Sequence, residues 1–265
     1  MTIAALAVSL LAAASSPAAV RSDLRSAAPA ARRSAPSLRL GSRGAEVRAL
    51  QSALARLSYL PNGAIDGVFG MQTWHAVVAL QGCSDRVRDG IVGPQTRSAL
   101  VRARRPTPWS TSTGLEIHIS QQVLLLVRNG RVQRAIHVSS GVGAATPLGH
   151  LRIYRREAMS WSVPFHVWMP LAQYFYGGYA LHEFAAVPAY PASHGCVRVP
   201  QSESRAVWQF ASIGMRVWNI RGVGSTTRSG QARERLGLVC VAEVSGLIGG
   251  TLRMRAGYLS VSLDP

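Results

Sequence analysis

The spacing of apolar residues splits the chain into a short helical part and a longer part that alternates like strands. Val47, Leu50, Leu54 and Leu57 follow one another at steps of 3, 4 and 3 residues, which puts them on one face of a helix over about 45–57. Pro61, Asn62 and Gly63 end that helix with turn chemistry. From residue 117 the period changes. Ile117 and Ile119 alternate with polar neighbours, and the apolar runs 123–127 and 132–138 flank Asn129-Gly130. That dipeptide marks a tight hairpin, because both of its positions must take positive φ. Further strand-like pieces are 151–154, 165–168 and 179–184, and a helix over about 201–213 follows, with Pro200 suited to its first turn. The pattern predicts an α+β chain with a small helical unit first and a mostly β domain from about 115 to 220.

Within the helical part, Asp66-Gly67-Val68-Phe69-Gly70-Met71-Gln72-Thr73 recurs 23 residues later as Asp89-Gly90-Ile91-Val92-Gly93-Pro94-Gln95-Thr96. Each copy reads as a tight turn: Asp-Gly supplies the turn, and the second Gly a conformation that other residues resist. Each Thr is placed to cap a following helix, 74–80 and 97–101. Taken alone, such a repeat needs no meaning beyond helix-turn punctuation.

The expected organisation is a helical domain at 38–102, a linker at 103–114, a β domain at 115–220 and an extension of no assigned role at 221–265. The linker follows from Arg104, Arg105 and the Pro/Ser/Thr-rich stretch to Gly114. Residues 20–37, rich in Ala, Ser, Pro and Arg, read as a flexible spacer. Ile3 to Ala14 is an apolar run followed by Ser15-Ser16-Pro17-Ala18-Ala19; its length fits a signal-peptide core within 1–19 and is too short to span a bilayer. Only Met1 and Thr2 precede it, where a basic segment is usual. An exported protein without a stable membrane span is expected.

A hydrophobic content of 48% and a mean hydropathy of +0.12 fit a globular chain and exclude a disordered one. The net charge is +17 and every Lys+Arg cation is Arg, so polyanions such as cell-wall polymer, a membrane surface or nucleic acid are attracted. The Arg residues are spread out, with only short knots such as Arg102, Arg104 and Arg105, and no nucleic-acid module signature appears. No nucleic-acid partner is expected.

Chemistry concentrates at Pro191-Ala192-Ser193-His194-Gly195-Cys196-Val197-Arg198, with His182 fourteen residues before Cys196. A thiol attacks as the thiolate, and a nearby imidazole can take its proton. Gly195 removes a side chain beside the sulfur, so a substrate backbone can come close. His182 lies in Tyr179 to Phe184, which alternates like a strand, and a strand is a rigid place to hold a base. His194 could orient substrate while its backbone shapes the turn. His75, His118, His137, His150 and His166 read as surface or packing residues. The cysteines Cys83, Cys196 and Cys240 are odd in number, which flags a free thiol in an exported protein; pairing of Cys83 with Cys240 would leave Cys196 free. His182, His194 and Cys196 could also ligate zinc, but structural zinc sites want four ligands at paired short spacings, and CxxC and HxxxH are absent. No metal or cofactor is expected. A His shortly before the Cys fits neither the papain-like nor the caspase-like order.

The doubled Asp-Gly-x-x-Gly-x-x-Thr, with Val47, Leu50 and Gln51 ahead of it, resembles the small three-helix peptidoglycan-binding domain attached to wall enzymes, over about 38–102. His182 with Ser193-His194-Gly195-Cys196 resembles the L,D-transpeptidases of the YkuD type, as do Ser120-Gln121-Gln122, Ser139-Ser140-Gly141, Thr146-Pro147-Leu148-Gly149, Met169-Pro170, Tyr174 and Phe175. The resemblance implies a sandwich-like catalytic domain over 115–220, with Cys196 as nucleophile and His182 as general base and acid. It further implies an oxyanion hole from the amides around His194, Gly195 and Cys196 beside Ser193, and Arg198 facing a stem carboxylate. The implied reaction forms 3→3 cross-links between peptidoglycan tetrapeptide stems with release of D-Ala. Two alternatives stay open: water as acceptor, giving an L,D-carboxypeptidase, and a wall-binding protein whose thiol is silent. The chain departs from the family pattern at Glu183, where Gly or Ser often follows the base His, and at Arg198, where Asn is frequent.

Overall fold

The structure, a computed structural model, describes residues 36–222. The 1–19 segment, most of the 20–37 spacer, nearly all of the 221–265 stretch and Cys240 lie outside the described residues. Three helices come first: α1 (Ala45–Arg56), α2 (Met71–Cys83) and α3 (Pro94–Arg102). The expected 74–80 and 97–101 helices therefore begin earlier, and Thr73 and Thr96 lie inside them. Gly70 and Gly93 stand at the N-caps instead.

What the Thr hydroxyls do is tie the repeat together. Gln51 Nε2 donates to Asp66 Oδ1 (2.8 Å), Val68 O (3.0 Å) and Thr73 Oγ1 (3.0 Å), while its Oε1 accepts from Gly67 N (2.8 Å). In the second copy Gln81 repeats each contact, to Asp89 (2.7 Å), Ile91 O (3.1 Å), Thr96 (3.1 Å) and Gly90 N (2.9 Å). A buried amide with all its donors and acceptors matched stabilises the turn; an unmatched one would cost about 1–3 kcal/mol.

The rest is two sheets with one helix. The larger sheet has the order β3-β2-β1-β9-β4, from β1 (Gly114–His118), β2 (Val123–Arg128), β3 (Arg131–His137), β4 (Gly149–Arg152) and β9 (Arg216–Ile220). The smaller runs β5-β6-β7-β8, from β5 (Arg155–Ser162), β6 (Val167–Tyr176), β7 (Tyr179–Phe184) and β8 (Val197–Pro200). Asn129 and Gly130 take φ of 50° and 69°, the tight-turn geometry expected between β2 and β3. Phe165 and His166, expected to open the 165–168 strand, fall instead in the β5–β6 turn at 163–166, and the strand begins at Val167. Helix α4 (Gln201–Phe210) starts after Pro200, which is its N-cap, and ends three residues short of expectation.

Alternation decides which face meets what. Leu115, Ile117, Leu124, Leu126, Ile136, Leu181, Val197, Val199 and Val217 fill the core between the sheets, with Val207 of α4. Val123, Leu125, Val127, Val132 and Ala135, from the opposite face of β2 and β3, share a second core with Val47, Leu50, Leu54, Val77 and Leu80 of the helical unit. The helical unit is therefore packed on the larger sheet as part of one fold. The 103–113 stretch covers more of the same face: Trp109 N and Ser110 N donate to the fully buried Glu116 carboxylate (2.9 and 2.7 Å), which also meets His118 Nε2 at 3.2 Å.

Candidate active site

Cys196 and His182 come together through the pairing of β7 with β8. The strands are parallel, with Leu181 opposite Val197 and His182 opposite Arg198. Leu181 and Val197 point into the core, so Ala180, His182, Cys196 and Arg198 share the outer face of the smaller sheet, on strands about 4.8 Å apart. Cys196 packs there against Met169, Ala172, Tyr174 and Ala180.

His182 Nδ1 lies 2.8 Å from Glu183 O. A carbonyl only accepts, so Nδ1 carries the proton and Nε2 of the neutral ring keeps a free lone pair. Burial holds the ring down to about 4; the Glu183 bond pulls the other way, and Arg198 adds to the depression. Burial likewise pushes the Cys196 thiol above its ordinary value, against the Ala180 amide and Arg198, which lower it. At neutral pH the thiol and the imidazole on this sheet face are thus both uncharged.

Glu183 itself explains one departure from the family pattern. Its side chain points the other way along the alternation, and Ser204 Oγ of α4 donates to it at 2.5 Å. Only its carbonyl serves His182, and any residue supplies a carbonyl.

The turn carrying the thiol is braced from outside. Ser193 N donates to Ser140 O (3.0 Å) and Val142 N to Ser193 O (2.9 Å), and Arg198 and Ser139 exchange backbone bonds at 2.9 and 3.1 Å. Thr146 Oγ1 accepts from Gly141 N and donates to Gly195 O, both at 2.8 Å. Gln122, buried at φ 55°, holds Ser140 from both sides, Oε1 accepting from its amide and Nε2 donating to its hydroxyl. Ser193 Oγ donates to Cys196 O at 2.5 Å and accepts from Gly195 N at 3.1 Å. Its hydroxyl is spent inside the turn, and so is the Gly195 amide. Gly195 is required by shape: φ is +136°, and a Cβ there would stand 2.0 Å from Tyr179 Cε1.

His194 is exposed, and its ring stacks on Phe165 of the β5–β6 turn, centroids 4.1 Å apart at 11°. The Arg198 guanidinium lies 4.2 Å over the Phe184 ring, and among the described residues it forms no ion pair with a carboxylate. Sequence reasoning missed Tyr179, Phe165 and the bracing role of Gln122; a Tyr three residues before the base His carries no local signal.

The helical unit also grips the segment leading to this turn. Arg88 Nε donates to Ala189 O (2.8 Å) and its NH1 to Ser120 O (3.0 Å). His75 Nδ1 meets His137 Nδ1 at 2.9 Å, and His137 Nε2 meets Pro188 O at 3.1 Å. Since Pro188 O must accept, His137 is protonated at Nε2 and receives the His75 proton donor at Nδ1. Two residues expected to be surface or packing residues thus form a buried pair between the two parts. Cys83 sits inside the helical unit, its thiol raised to about 11 by burial and in hydrogen-bond contact with Tyr59.

A mostly β fold with a thiol and an imidazole on the same sheet face, and a helical unit with doubled Asp-Gly turns, defines a class that comparison sharpens. The model of the L,D-transpeptidase catalytic domain of the YkuD type matches residues 112–218, and that of a peptidoglycan-binding domain matches 43–100. The solved L,D-transpeptidase of Xylanimonas cellulosilytica (its residues 123–326) is 40% identical with a TM-score of 0.66, over 70% of this chain and 98% of that one. The chain belongs to the L,D-transpeptidase family. An L,D-transpeptidase structure from Stackebrandtia nassauensis is 23% identical with a TM-score of 0.45, over 71% and 97% of the two chains. A Bacillus licheniformis protein named "Probable N-acetylmuramoyl-L-alanine amidase" is 38% identical over 77 residues, 29% of this chain. The match spans 22% of that curated relative's length. Among the described residues no helix is long and apolar enough to cross a membrane.

Proposed function

We propose that this chain is an exported, wall-associated enzyme that forms 3→3 cross-links between peptidoglycan stems through a Cys196 acyl-enzyme. The observation carrying this reading is His182, locked by the Glu183 carbonyl in the tautomer that leaves Nε2 free, on the same sheet face as Cys196. Cys196 Sγ attacks the carbonyl joining the diamino residue of a tetrapeptide stem to its terminal D-Ala. His182 Nε2 takes the thiol proton during attack, because the thiol does not ionise by itself near neutral pH, and later passes it to the departing D-Ala amine. The oxyanion is met by the amides of His194 and Cys196, since that of Gly195 is already given to Ser193. Each such donor lowers the barrier by about 2.7–4 kcal/mol. The amine of a second stem then attacks the thioester, forming the new amide and freeing the thiol. Arg198 swings from the Phe184 ring to a stem carboxylate, which its planar fork suits. The helical unit at about 38–102 holds the enzyme on the polymer.

The raised Cys196 thiol also favours a second reading, an inert wall-binding protein. The two separate by mass spectrometry of the intact protein with a tetrapeptide donor. An acyl adduct confined to Cys196 supports catalysis, and an unmodified Cys196 abolishes it. Product analysis with and without an acceptor stem then separates transpeptidation from hydrolysis.

A further inference from the structure

We propose that the cleft beside β4 and β9 is a second binding site, for the terminal carboxylate of a peptide. The cleft encloses about 340 Å³ and is lined by Ser110, Ser112, His150, Arg152, Arg216 and Trp218, a volume within the usual range for small-ligand sites. It opens on the outer face of the larger sheet, the face that carries the helical unit. Cys196 lies on the outer face of the other sheet, so a ligand here does not touch the reacting atoms.

The charge arrangement asks for an anion. Arg152 and Arg216 are directly opposed in the antiparallel β4–β9 ladder, both exposed, and like charges so placed destabilise a sheet. Neither takes part in the ion pairs found among the described residues. Glu116, on the same face one strand beyond β9, is occupied by the Trp109 and Ser110 amides and by His118. Each guanidinium is instead held by one neutral oxygen: Arg152 NH1 donates to Gly214 O (2.8 Å) and Arg216 NH1 to Ser112 Oγ (2.9 Å). One donor of five is used in each fork, and the others are left to face a ligand.

A carboxylate matches two planar forks. The Ser110 hydroxyl, whose oxygen accepts from Ser112 N at 3.0 Å, keeps its proton for a peptide oxygen. His150, tilted against Trp109 with centroids 5.2 Å apart, and Trp218 form the walls.

Isothermal titration of the full chain with N-acetylalanine, and separately with inorganic phosphate, tests this. N-acetylalanine should bind, and more tightly than phosphate. Arg152→Gln and Arg216→Gln should each weaken it about tenfold or more, with the alkylation rate of Cys196 unchanged. Without ligand, Arg152→Gln should melt no lower than the parent, because it relieves the opposed charges; this guards against a variant that merely unfolds. Absence of binding, binding indifferent to both substitutions, or tighter binding of phosphate would overturn the proposal. Because none of these readouts needs turnover, a failure of the transpeptidase reading would show separately, as an unacylated Cys196.

Discussion

The Asp-Gly turns of the repeat and the Ser-His-Gly-Cys turn begin with the same device and use it for opposite ends. Asp66 Oδ1 accepts from Val68 N at 2.8 Å, Asp89 Oδ1 from Ile91 N at 2.8 Å, and Ser193 Oγ from Gly195 N at 3.1 Å. In each case a side-chain oxygen closes a turn on the amide two residues ahead. In the repeats each turn is then tied by one Gln and one Thr, with backbone contacts from Leu38, Ser42 and Gly44 and the Arg48 guanidinium, and all of these partners belong to the helical unit itself. The Ser-His-Gly-Cys turn takes its bracing from Gln122, Ser139, Ser140 and Thr146, about fifty or more residues away in the chain. Its own Ser193 hydroxyl and Gly195 amide are turned inward, and the Cys196 thiol takes no part in that bracing. Turns closed within their own unit make a scaffold, whereas the turn that carries Cys196 is held in place by distant segments.

The comparison breaks most sharply at the base. His182→Ala should lower the rate of Cys196 acylation by about 10²–10⁴-fold, the usual contribution of a positioned acid–base group, without disturbing the turn; single-turnover mass spectrometry measures it. Gly195→Ala comes next. Its Cβ would collide with Tyr179 in a strained backbone, and the melting transition should fall by the equivalent of about 1–3 kcal/mol, together with acylation. An equal substitution at the repeats is milder in function: Gln51→Ala and Gln81→Ala should each cost about 1–3 kcal/mol in chemical denaturation and leave the chemistry of Cys196 intact.

The smallest effect is on pH. His75 is held down to about 4 and His137 to about 3 by burial, against 6.5 for an unperturbed ring. Below pH 6.5 the unfolded chain takes up protons that the folded chain refuses until near 4, so stability falls with pH through that window. Thermal melts between pH 7 and 4 should show this, and His75→Phe should flatten part of the slope.

How far the sequence could be read follows the same division. The repeat turns were visible because their signature residues, Asp, Gly and Thr, lie within eight consecutive positions, and α1 and the Asn129-Gly130 hairpin were visible because their signals are likewise local. The Thr residues misled because a hydroxyl just before an apolar run looks like a cap, while here it binds Gln51 or Gln81 from within the first turn. Strands β5, β8 and β9 escaped notice because Arg155 to Ser162 carries no clean alternation and the other two are short. At the site, Cys196 and His182 stood out by residue type and order. The Tyr179 ring under Gly195, the His75–His137 pair and the Arg88 grip on Ala189 depend on tertiary packing between distant segments, which no local pattern encodes.

The central claim is that Cys196 is acylated with His182 as its base. Intact-protein mass spectrometry after incubation with a tetrapeptide stem tests it most directly. The expected result is a single adduct on Cys196, with the mass of the donor less D-Ala, slowed in His182→Ala and missing in Cys196→Ala. An unmodified Cys196 in the parent protein, or full turnover by Cys196→Ala, would contradict the claim.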